Sequence, residues 1–93
     1  MPAIEIVWDM EGDPDGNVQH IGEHGVSVEE VEEVLRGSLS NTAESKSSTN
    51  RITFGYTSEG RYLAVVWEHV HDDPLMIYPV TAYDAPEPRR RRK

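Results

Sequence analysis

Hydrophobic and polar positions change period along this chain, and each change predicts an element. Ile4 and Ile6 share one face with Glu5 and Val7 on the other, so residues 3–8 read as a strand ending at Trp8 and Asp9. Asp13 followed by Pro14 has the chemistry of a helix cap with proline at the first helical position. The helix predicted over 14–24 is weak, because Gly16 and Gly22 each cost about 1 kcal/mol relative to alanine. Val18 and Ile21 are its clear core contacts. Gly25 can close it in the left-handed conformation, after which Ser27 and Glu30 form the S-x-x-E capping box of a second helix, stapled by Val26 and Val31.

That second helix is predicted over 28–36. Val28, Val31, Val34 and Leu35 line one face, and Glu29, Glu30, Glu32 and Glu33 occupy another that reads as solvated. The acidic first turn and Arg36 in the last both complement the helix dipole, and Gly37 supplies the stop. Residues 38–50, rich in Ser, Thr and Asn, read as a mobile loop. Ile52, Phe54 and Tyr56 then alternate with Arg51, Thr53, Gly55 and Thr57, as in a strand with one side buried. Ser58-Glu59-Gly60 predicts the hairpin turn to Arg61.

Residues 62–68 are apolar on both faces and predict a central strand; a turn over 69–74 leads to a last strand over 75–83. Pro79 within it predicts an edge position or a bulge. The pattern therefore predicts an α+β domain over residues 1–85: a strand, two helices, then a three-stranded antiparallel meander, with the helices on one face of the sheet. Pro86 and Pro88 open a Pro/Arg-rich tail over 86–93 that is predicted to be disordered.

Charge changes this picture more than composition does. The net charge is −8, yet five of the nine basic residues are the last five, Arg89 to Lys93. The body keeps only Arg36, Lys46, Arg51 and Arg61 against 17 acids, a balance of −13, which repels nucleic acid at long range. The absence of cysteine excludes a disulfide scaffold and a thiolate metal site. With no signal-peptide pattern and no apolar run near the roughly 20 residues of a membrane span, a soluble cytoplasmic protein without membrane partners is expected.

Candidate chemistry is sparse. His20-Ile21-Gly22-Glu23-His24 matches the H-x-x-E-H zinc pattern, but 93 residues leave little chain for a third ligand and a cleft. His69, His71, Asp72 and Asp73 lie in a predicted turn, where solvation alone accounts for polar residues. No metal or cofactor is expected. Trp8, Trp67, Tyr56, Tyr62, Tyr78 and Tyr83 offer rings that could stack on bases, although most alternate with core positions. Arg51 and Arg61 start successive strands and could clamp a phosphate, with a surface ion pair as the plainer reading.

Several of these segments fall in a familiar order. Val7-Trp8-Asp9, then His24-Gly25-Val26-Ser27 with Glu29-Glu30, then Gly60-Arg61-Tyr62-Leu63-Ala64-Val65-Val66-Trp67, and finally Val80-Thr81-Ala82-Tyr83-Asp84-Ala85 span residues 5–85. In this order and spacing the chain resembles the BrnT-like toxins of bacterial type II toxin–antitoxin pairs, which share the RelE-type ribonuclease fold. The resemblance implies metal-independent RNA cleavage, with RNA or the ribosome as target, held silent by a small DNA-binding antitoxin. It further implies His24 as general acid or base, Arg51 and Arg61 as phosphate clamps, and Tyr83 as hydrogen-bond donor.

The chain also departs from that pattern. Glu23 stands where lysine usually precedes His-Gly, His20 at a usual asparagine, and Tyr78 and Tyr83 where arginines are common. The family's C-terminal helix is replaced by Pro86-Glu87-Pro88 and the tail. Fewer cations on a phosphate-binding face mean less transition-state stabilisation. Two functions follow: a toxin-like, weakly active ribonuclease, or a non-catalytic relative acting as a protein-interaction module.

Overall fold

The computed structural model describes residues 4–44 and 49–88. The predicted strand start at Ala3, Lys46 in the loop, and residues 89–93 of the tail lie outside them. The elements are β1 (Ile4–Ile6), α1 (Asn17–Glu23), α2 (Val28–Ser38), β2 (Thr42–Glu44), β3 (Arg51–Tyr56), β4 (Tyr62–Asp72) and β5 (Leu75–Asp84). They build an α+β fold with one five-stranded sheet in the order β1-β5-β4-β3-β2.

The predicted meander is present as β3-β4-β5, but it is not the whole sheet. β2 adds antiparallel to β3, with Thr42 opposite Thr53, so part of the supposed loop over 38–50 is a strand. Thr42 Oγ1 and Thr53 Oγ1 lie 2.6 Å apart, a cross-strand hydroxyl bond that such a polar sequence can make in place of apolar packing. β1 adds parallel to β5, Ile4 opposite Leu75, which makes the sheet mixed.

Both helices cover one face. α1 packs on β5 and α2 on β3 and β4, and Ile21, Val31, Val34 and Leu35 form the core with Leu63, Val65, Trp67, Ile77 and Ala82. The helix junction follows the sequence closely. Val26 N–H bonds Ile21 O and Gly25 N–H bonds Gly22 O, with Gly25 at φ +72°, a Schellman closure of α1. Ser27 and Glu30 then form the complete capping box of α2.

Other boundaries are corrected. α1 begins at Asn17, not Pro14: Asp9 Oδ2 accepts from Asn17 N–H, and Asp13 closes a separate turn. α2 runs through Gly37 to Ser38, because Gly37 is exposed and its missing side chain costs only propensity there. β4 continues to Asp72, so the predicted turn over 69–74 contracts to Asp73 and Pro74. Pro79 is not on an edge strand; it sits at a bulge, where Trp67 faces Pro79, Val66 faces Thr81, and Val80 is the extra residue.

The glutamate face of α2 is also more than solvated. Glu32 accepts from Trp8 Nε1 at 2.8 Å and Glu33 from Ser58 N–H at 2.9 Å, so the helix acids tie it to both ends of the fold.

Candidate functional site

His24 caps α1, Arg61 follows the hairpin turn, and Tyr83 is near the end of β5. The fold brings these three together. The His24 and Tyr83 rings meet edge-on with centroids 6.2 Å apart, and both side chains are exposed. Arg61 Nη2 donates to His24 O at 3.4 Å, so the guanidinium lies under the helix junction.

Arg51 is elsewhere. The starts of two antiparallel strands lie at opposite ends of their hairpin, and here Tyr56 faces Tyr62 at the turn while Arg51 faces Trp67 at the far end. Five residue steps of roughly 3.4 Å separate the two ends. Arg51 lies over the Trp67 ring at 5.8 Å and 3.7 Å from Glu44, on the helix-bearing face. The polar cavity beside it, about 650 Å³, is also lined by Glu44, whose carboxylate is already paired with Arg51, so a bound anion would meet a negative charge.

Arg61 is engaged through all five of its N–H donors. Nε and Nη2 form a bidentate pair with Asp84 at 2.7 and 2.9 Å. Nη1 donates to Gly25 O at 2.8 Å and to Glu30 at 3.0 Å, and the second Nη2 proton goes to His24 O. The Asp84 hydrogen bonds, reinforced by Glu30, raise the Arg61 pKa, and Arg61 in turn holds the Asp84 carboxyl below its ordinary range. The arginine is a clamp that ties the α1–α2 junction to β4 and β5.

Asp84 and Glu30 are the partners that reading along the sequence missed. Glu30 was legible only as a capping residue, and the signal for Asp84 was charge alone: an arginine in so acidic a body is expected to find carboxylates. Beside the corner, a cavity of about 310 Å³ is lined by Ser27, Glu29, Glu30, Glu33, Thr57, Ser58 and Glu59. Four glutamates around it disfavour a phosphodiester.

The other candidates are held locally. Tyr78 donates its hydroxyl to Asp9 Oδ2, a bond that lowers the Asp9 pKa and pushes Tyr78 up to about 12. His69 pairs with Asp72 at 2.8 Å, and His71 Nδ1 lies 3.3 Å from Pro74 O and from Asp73 N. Among the described residues no group of three or more His, Asp or Glu side chains is placed to hold a metal ion. No helix among them is long and apolar enough to cross a membrane.

Comparison with protein-family models, with curated proteins and with solved structures finds no match to this chain. The functional reading therefore rests on the corner itself. It holds an exposed imidazole and phenol side by side, a guanidinium with no donor to spare, and a rim of carboxylates.

Proposed function

We propose that this chain is a divergent BrnT-like protein with a RelE-type fold that acts in the cytoplasm as a non-catalytic protein-interaction module, the toxin-like half of a type II toxin–antitoxin pair. Its partner in this reading is a small DNA-binding antitoxin. One observation carries the non-cleaving part: every donor of the Arg61 guanidinium is taken by Asp84, Glu30 and two backbone carbonyls. A ribonuclease of this kind needs free cations where charge develops on the phosphoryl group. Here a phosphate would have to displace a carboxylate from a bidentate pair, inside an anionic body.

A second reading is favoured by the His24–Tyr83 pair, whose exposed rings lie edge-on and bring together two side-chain types that a 2′-hydroxyl attack can use for proton transfer. One experiment separates the two. Purified full-length chain is incubated with single-stranded RNA beside the His24→Ala and Arg61→Ala variants. The interaction-module reading expects no cleavage above the variants. Cleavage abolished by His24→Ala overturns it in favour of a ribonuclease.

A further inference from the structure

The sheet has two faces, and among the described residues only one carries helices. Strand alternation and the pairing of Ile52 with Val66, Val66 with Thr81, Phe54 with Ala64, Ala64 with Tyr83, and Tyr56 with Tyr62 put these residues on the other face. Phe54 and Tyr62 stack at 6.2 Å, and Tyr56 meets Tyr62 at 4.7 Å. Tyr56, beside the hairpin turn, is 47% exposed, a large aromatic surface left to solvent at the end of this row.

Among the described residues, charge on this face is one-sided. Its centre is uncharged, while Glu68 continues the β4 row, Glu5 pairs with Met76 on β5, and Glu87 accepts from Tyr56 Oη at 3.1 Å. The three described arginines are all engaged on the helix side: Arg36 with Ile4 O, Arg51 with Trp67, and Arg61 with Asp84 and Glu30. An aromatic centre inside an acidic rim selects its occupant by charge. Nucleic acid could stack on the rings but meets repulsion at the rim. A second copy would bring the same carboxylates face to face. The chain's own residues 89–93 contribute cations and no apolar side chain.

We infer that the open sheet face, centred on Phe54, Tyr56, Tyr62 and Val66, is the docking surface for a basic amphipathic segment of another polypeptide, whose apolar stripe covers the rings while its Lys and Arg meet Glu5, Glu68 and Glu87. This rests on the interaction-module reading and names the surface and the chemistry of the partner.

The test uses the full chain and two short labelled helical peptides with one identical Leu/Phe stripe, flanked by Lys in one and by Glu in the other. Anisotropy titration and amide chemical-shift mapping are the readouts. The Lys peptide is expected to bind at least about tenfold more tightly than the Glu peptide, with shifts centred on residues 52–56, 62–66 and 81–83. Glu68→Lys with Glu87→Lys removes that preference, and Tyr56→Ser weakens both peptides; all three changes are at exposed positions.

The inference is overturned if the Lys peptide gives no shifts at millimolar concentration, or if its shifts fall on α1 and α2. It is equally overturned if the face instead takes oligouridylate, dimerises in sedimentation, or gives shifts at the same amides when residues 89–93 are deleted. RNA cleavage would remove the interaction-module reading without altering the peptide map, so the two failures are distinguishable.

Discussion

The two faces of the sheet obey different rules. On the helix side polar side chains are tied into the fold: Asn17 serves three backbone groups, Trp67 bonds Thr53 at 2.8 Å, and Arg61 exhausts its donors. On the open side the rings of Phe54, Tyr56 and Tyr62 touch one another and no helix covers them. The difference separates what holds this small domain together from what it can offer to another molecule. The residues chosen for phosphate chemistry, Arg51 and Arg61, fall on the first side.

The sharpest way to break this comparison is Asn17→Ala. Asn17 is 1% exposed; its Oδ1 accepts from Asp9 N–H, and its Nδ2 donates to Val7 O and Pro79 O. Leaving those groups unpaired is expected to cost about 3 kcal/mol, read as a lower urea midpoint. Gly55→Ala comes next. An added Cβ would sit 2.7 Å from Ser38 Cβ and 3.2 Å from Val34 Cγ1, so α2 must move off β3 at a cost of about 2 kcal/mol. Ser38→Gly in the same chain should recover part of it.

Arg61→Ala tests the clamp. Solvent reaches the guanidinium and screens the pairs, so the expected loss is about 1–2 kcal/mol in urea denaturation. RNA cleavage should not change. The same variant alters the acid limb of stability. Asp84 and Asp9 both have carboxyls held below their ordinary 3.8, so the stability they contribute is present above that value and is lost as pH falls through the depressed folded ones. Without Arg61, Asp84 loses that depression and unfolding below pH 3.8 should depend less steeply on pH. At the other extreme Tyr78, raised from 10.0 to about 12, contributes stability that is lost as pH rises through the upper value. Tyr78→Phe should flatten that alkaline limb.

The smallest stability effect is expected on the open face. Tyr56→Ser should lower the unfolding free energy in urea by no more than about 1 kcal/mol, while weakening the basic peptide. A large loss of stability there would mean that the two faces do not divide labour in this way.

Features decided within a few residues were legible in the sequence. The left-handed Gly25, the Ser27–Glu30 box, the apolar stripe of α2, the hairpin turn at Gly60 and the irregularity at Pro79 depend on backbone conformation and neighbouring side chains. The place of β4 at the centre of the sheet followed from its apolar content on both faces. A strand of three residues such as β2 had too little pattern to register, since Thr42 is held by a hydroxyl pair with Thr53 and not by an apolar face.

Tertiary structure alone decided the rest. Arg61 meets Glu30 and Asp84 across separations of 31 and 23 residues, and β1 lies beside β5 from the far end of the chain. Pattern assigns each strand a buried side but not a neighbour, because period two is the same whichever strand lies alongside. Strand order, through which an available cation became an occupied clamp and a row of strand aromatics became an open face, is set by how the elements pack.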